Sequence, residues 1–168
     1  MMTTVLSSPP AQQQRNLFNI ISWTALLTGT LDIASAIVKY YLEKGKDPAP
    51  IFKFIASGVF GKEALSGGTL MIVWGIVFHF MIAFIFTLTL FLIYPRAAAW
   101  LKNKFIVGIL YGIVIWTIMD RVVLPLSNIP KTSFDPAKAG IAVLILICMI
   151  GLPVALIADH YYRKKASS

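Results

Sequence analysis

The chain is poor in the residues that carry most soluble chemistry. Of its 168 residues one is cysteine, two are histidine and seven are acidic, and charged side chains make up 13%. The lone cysteine, Cys148, rules out an intramolecular disulfide. It thereby excludes the four-helix thiol-oxidising membrane enzymes, whose chemistry needs paired cysteines to exchange. His79 and His160 stand apart, and no HExxH or CxxC spacing joins them or Cys148 to an acid as a metal site would require. Apolar residues reach 58%, against roughly 45–50% apolar and roughly 25% charged in an average soluble domain. A soluble globular domain is excluded as well.

What is present is hydrocarbon in long blocks. Leu17–Tyr41, Thr69–Tyr94, Phe105–Ser127 and Ala137–Tyr162 each supply the ~20 mainly apolar residues that a helix needs to cross a bilayer. None shows the ~10-residue dyad alternation of a barrel strand, and a backbone in lipid must satisfy its own hydrogen bonds. The expected fold is an all-α integral membrane protein, one four-transmembrane-helix bundle over 17–162. A disordered tail over 1–16 and a basic tail over 163–168 flank it. The opening "MMTTVLSSPPAQQQRN" is polar, with a single basic residue, and the span after it is too long for the apolar region of a cleavable signal, so the first helix is expected to stay as an anchor.

A net charge of +8 in a soluble protein suggests nucleic acid, but here no basic stripe interleaves with stacking aromatics. The charge speaks instead to orientation. The termini share a side with Arg15, Arg96, Lys102, Lys104, Arg163, Lys164 and Lys165, and the other side carries Lys39, Lys44, Lys46, Lys53, Lys62, Lys131 and Lys138. The counts tie, but the first set is packed into short segments against helix ends, where the positive-inside effect is strongest. Both termini are therefore expected in the cytoplasm.

The first connection contains "APIFKFIASGVFG", apolar yet too short to span. It suits an interfacial or re-entrant helix, the alternative being a soft loop folded over the helix ends. Ser66 or Thr69 is a candidate cap for the span that follows. Small residues mark packing faces: Ala25, Gly29, Asp32 and Ala36 in the first span, Gly75 in the second, Gly108 and Gly112 in the third, and Cys148, Gly151, Ala155 and Ala158 in the fourth. Such lines let transmembrane helices approach closely, within the bundle or between copies.

The ionisable residues inside the spans are Asp32, His79, Asp120 and Arg121. At ~1.5 Å per residue, the first three all come out ~22 Å from the cytoplasmic boundary. Neighbouring positions on a helix are about 100° apart, so Asp120 and Arg121 are each expected to seek a partner on another helix, and Asp32 and His79 are available. Pro125 and Pro153 add helix kinks and free the carbonyls of Arg121 and Met149 at a similar level. Three readings of the four charges stay open: Arg121 snorkelling to the headgroups with Asp120 following, an interhelical network fixing registry, or a proton or ion path. A metal site from Asp32, His79, Asp120 and Cys148 has no supporting spacing.

The order of these features resembles the small four-span bacterial inner-membrane proteins of the YagU-like kind. It is carried by a glycine-bearing first span, a long apolar first connection, "HFMIAFIFTLTLFLIYP" with His79, then "GILYG" and "VVLPLSNIP". It covers Gly29 to Tyr162 and implies the four-span fold and a bacterial inner membrane. That group is of unknown biochemical function, so the resemblance implies nothing of mechanism. The compact first connection and Asp32 depart from its pattern.

Three function classes follow, in order. The first is a non-enzymatic membrane protein packing with itself or with a membrane partner; the second is a small oligomeric proton- or cation-linked conduit using the charged cluster; the third is a membrane enzyme. No catalytic constellation and no cofactor motif is found, and the Asp159–His160 pair reads as interfacial solvation.

Overall fold

The computed structural model describes residues 10–45, 47–129 and 135–166, and among them all regular structure is helical. Helix α1 covers Pro10–Lys44, α2 Ala49–Phe60, α3 Glu63–Ser66 and α4 Thr69–Leu101. Helix α5 covers Lys104–Leu126 and α6 Pro136–Lys165. Helices α1, α4, α5 and α6 are long and apolar enough to cross a membrane, at the places expected. Helix α1 starts at Pro10, ahead of Leu17; residues 1–9 of the expected tail lie outside the described residues.

Local chemistry explains the boundaries. The Asn103 side chain accepts from the backbone N–H groups of Phe105 and Ile106 and starts α5, and Asp135 does the same for α6 through Ala137 and Lys138. The backbone bond from Lys138, helped by its ammonium at 3.4 Å, holds the Asp135 carboxyl below the usual carboxylate range. Helix α4 has Gly68 at its cap position, with no side-chain cap. Ser66 is turned back to the Glu63 carbonyl, so neither Ser66 nor Thr69 caps it. The turn from α4 to α5 is tight enough to hold Lys102 at φ 53°.

Two prolines widen their helices where a kink was expected. Pro125 has no N–H and crowds the carbonyl four residues back. Just before it, the Leu124 N–H reaches the Met119 carbonyl, five residues back, and closes a π turn over Met119–Val123. Pro153 repeats this: the Leu152 N–H reaches Ile147 across Ile147–Gly151. A third proline, Pro95, sits within α4 without ending it. The carbonyl it leaves without a helical donor is that of Phe91, and the Tyr162 hydroxyl of α6 donates to it at 2.8 Å. A side chain from a neighbouring helix thus replaces the missing backbone bond.

Glycines set the packing. A methyl group on Gly29 would lie 3.0 Å from the Phe80 ring and 3.1 Å from Ala83 of α4. On Gly112 it would lie 2.6 Å from the Ile147 Cα, and on Gly108 2.9 Å from the Gly151 carbonyl oxygen. Gly75 is so close to the backbone of Phe52 that α2 lies directly on α4 there. Asn128, just past α5, fastens the other end of α2: its backbone N–H donates to Gly58 and its amide to Val59.

The bundle is filled unevenly. Its densest core gathers Ile21, Leu90, Phe91, Tyr94, Val107, Tyr111, Ile150, Val154, Ala155 and Ala158. These lie in the first half of α1, the second half of α4, the first half of α5 and the second half of α6, which is the end of the bundle near the termini. Toward the first connection the helices leave a space.

Candidate functional site

That space is a cavity of about 340 Å³, bordered by all four long helices and by Ile55 of α2. Its polar lining comes from α1 and α4: Asp32, Ser35 and Lys39 at helical spacings of three and four, and His79 across from them. Phe86, Ile115, Met119, Leu146 and Ile150 form apolar walls. The tight core closes it on the side of the termini.

His79 Nε2 lies 2.8 Å from the Gly29 carbonyl oxygen. A carbonyl only accepts, so Nε2 carries the proton and donates, joining α4 to α1. Close approach at Gly29 is what brings the imidazole within reach of α1 backbone. The Ser35 hydroxyl donates to the backbone carbonyl of Asp32 at 2.7 Å, not to its carboxylate. Among the described residues the Asp32 carboxylate takes part in no hydrogen bond or ion pair, and His79 is its ionisable neighbour. Lys39 stands 4.0 Å from Glu43, away from Asp32.

Of the four ionisable residues singled out by sequence, Asp32 and His79 share this cavity; Asp120 and Arg121 do not line it. Contrary to expectation, the latter two pair with each other: Arg121 Nε is 3.1 Å from Asp120 Oδ2, on an outer face where their side chains are 62% and 30% exposed. The adjacent Met119 does line the cavity. The angular expectation failed because both residues lie in the π turn and the Arg121 side chain is long enough to fold back. Cys148 is exposed, unlike Gly151, Ala155 and Ala158 of the same small-residue line. It lies inside the second π turn, which breaks the spacing that would have aligned it. Among the described residues no three of His, Cys, Asp and Glu gather as a metal site.

A second polar centre went unread. Asp159 is buried near the termini, where it accepts from the Tyr94 hydroxyl at 3.1 Å and from Arg163 Nε at 3.0 Å, with Lys104 Nζ at 3.5 Å. It joins α4, α5 and α6, a structural clamp and not a solvated interfacial acid. The Asp159/Arg163 spacing of four was visible in the sequence; the partners on α4 and α5 were not. The Ser35 and Lys39 lining was also legible, being on the Asp32 face.

Comparisons with known protein families, with curated proteins and with solved structures give no match.

Proposed function

We propose that this chain is a non-enzymatic, multi-pass protein of a bacterial inner membrane, with cytoplasmic termini and a ligand-binding cavity in the outer half of its bundle. The carrying observation is the cavity, which gathers Asp32, Ser35, Lys39 and His79 and ends blindly at the core. A blind cavity suits binding; a pore needs two openings. The small-residue lines that favoured packing with itself or a partner are used inside the bundle, at Gly29, Gly75, Gly108, Gly112 and Gly151. That weakens self-association as the main role. The cytoplasmic placement is supported by the dense Lys and Arg residues near the termini. With Phe52 lying on Gly75 and Ile55 in the cavity wall, α2 acts as a re-entrant segment. Kinship with the YagU-like proteins belongs to the same proposal and has only the quoted motifs behind it.

Cysteine reactivity tests the reading. In a Cys148→Ser background, Ala36→Cys at the cavity should react with a small membrane-impermeant thiol reagent from the periplasmic side, whereas Ala155→Cys in the core should stay unmodified. An unreactive Ala36→Cys, or one reached only from the cytoplasm, sinks it.

One observation favours proton- or cation-linked transport as a second reading. Thr24 and Thr28 of α1 and Thr87 of α4 are buried along the axis between the Asp32/His79 cavity and Asp159, and the Thr87 hydroxyl has no partner among the described residues. Proton flux in reconstituted vesicles that disappears in Asp32→Asn would establish this reading; absence of flux in the unmodified protein removes it.

A further inference from the structure

Beside the cavity runs a slit between α1 and the first part of α6. Leu31, Ala34 and Val38 line one wall and Ile141 and Met149 the other, and Ser35, Lys39 and Ile145 border both the slit and the cavity. Apart from Ser35 the slit is apolar except at its end, where Lys39 and Glu43 face each other. In a bilayer such a slit meets acyl chains, so the cavity has a sideways entrance from lipid.

The charge inside specifies what enters. Among the described residues the Asp32 carboxylate has no hydrogen-bond partner: His79 Nε2 donates to the Gly29 carbonyl, and Ser35 to the Asp32 carbonyl. Lys39, the other charged group of the lining, is drawn toward Glu43 at the mouth. A carboxylate in apolar surroundings is costly unless a cation meets it. Phe86 supplies an aromatic wall in the same cavity, a second surface that favours a cation.

We propose that the cavity takes a lipophilic monocation, an amine or quaternary ammonium with an apolar body, which enters from the bilayer between α1 and α6 and sets its charge against Asp32. This rests on the binding reading above and names its ligand class. The head lies against Asp32 and Phe86, and the apolar body lies along Leu31, Val38 and Ile141.

The test uses the full chain in dodecyl maltoside micelles, titrated with three probes of one chain length: dodecyltrimethylammonium, dodecyl sulfate and dodecanol, each at a small mole fraction of the detergent. The cation alone should bind saturably and raise Tm. Its affinity should fall at least tenfold in Asp32→Asn, hold in Asp32→Glu, and be lost in Ala36→Phe, which fills the cavity and keeps the carboxylate. Tetramethylammonium, a head without a body, should not bind. Equal binding of all three probes, preference for the sulfate, or unchanged affinity in a folded Asp32→Asn protein overturns the proposal. The comparison among probes holds even if Asp32→Asn fails to fold. If the sulfate or the alcohol binds and Ala36→Phe abolishes it, the cation assignment fails while the binding cavity stands. If no probe binds and Ala36→Cys is also unreactive, both fail.

Discussion

At the scale of single residues, the chain shows how an apolar interior deals with one missing hydrogen. Pro95 removes the donor to the Phe91 carbonyl, Phe91 is fully buried, and the Tyr162 hydroxyl fills the place. Removing that hydroxyl in Tyr162→Phe should leave a buried acceptor unsatisfied and cost about 1–3 kcal/mol. Pro95 is exposed, so Pro95→Ala loses little packing and returns an N–H to the helix. The double substitution Tyr162→Phe, Pro95→Ala should therefore recover most of the lost stability, read as Tm in detergent. Losses that merely add would mean that Tyr162 acts through its ring, which stacks on Tyr94 at 6.0 Å, and not through its hydroxyl. The proline was legible in the sequence; the Tyr162 hydroxyl, 71 residues from the Phe91 carbonyl that it serves, was not.

At the scale of elements, what the sequence displayed well was anything governed by length, composition or spacing along an unbroken helix. The four long helices and the Gly29/Asp32 face fall in this class, because hydropathy and the helical repeat are properties of a single strand of text. What it concealed were the π turns. The extra residue in each turn upsets the regular repeat, so that Asp120 and Arg121 meet each other on an outer face and Cys148 leaves the line of Gly151, Ala155 and Ala158. The same distinction between a helix alone and a helix in contact predicts opposite outcomes for one kind of mutation. Gly140 lies within α6 with nothing near a built Cβ, so Gly140→Ala should stabilise by about 0.5–1 kcal/mol through backbone entropy. Gly75 is also helical, but an added methyl meets the Phe52 backbone. Gly75→Ala should cost about 1–3 kcal/mol as overpacking, or push α2 off α4. A spin label at Lys53 separates these, gaining motion only in the second case. If both alanines shift Tm the same way, α2 does not lie on α4 at this glycine.

At the scale of the whole molecule, the two polar centres mark two ends with different packing. The Asp32/His79 cavity lies where the helices stand apart, and Asp159 lies where Val154, Ala155 and Ala158 have no exposed surface. If Asp159 clamps the closed end, Asp159→Asn should weaken its links to Lys104 and Arg163 while keeping a hydrogen-bonding group near Tyr94. The partners are partly or largely exposed, at 37% and 77%, so solvent screening keeps each ion pair small. A total loss of about 1–2 kcal/mol is expected, mainly from the charged hydrogen bonds to a buried acceptor. The effect should be local. In the Cys148→Ser, Ala155→Cys background, whose buried thiol should be unreactive while the clamp is intact, Asp159→Asn should make the thiol reactive. Affinity for dodecyltrimethylammonium at the far cavity should change less than twofold, because no residue of the clamp lines that cavity. Loss of both together would mean that the ends are coupled, so that the closed end moves when the cavity fills, as transport requires and simple binding does not. A reactive thiol with unchanged binding leaves the molecule as two independent halves, one sealed by packing and one open to ligand.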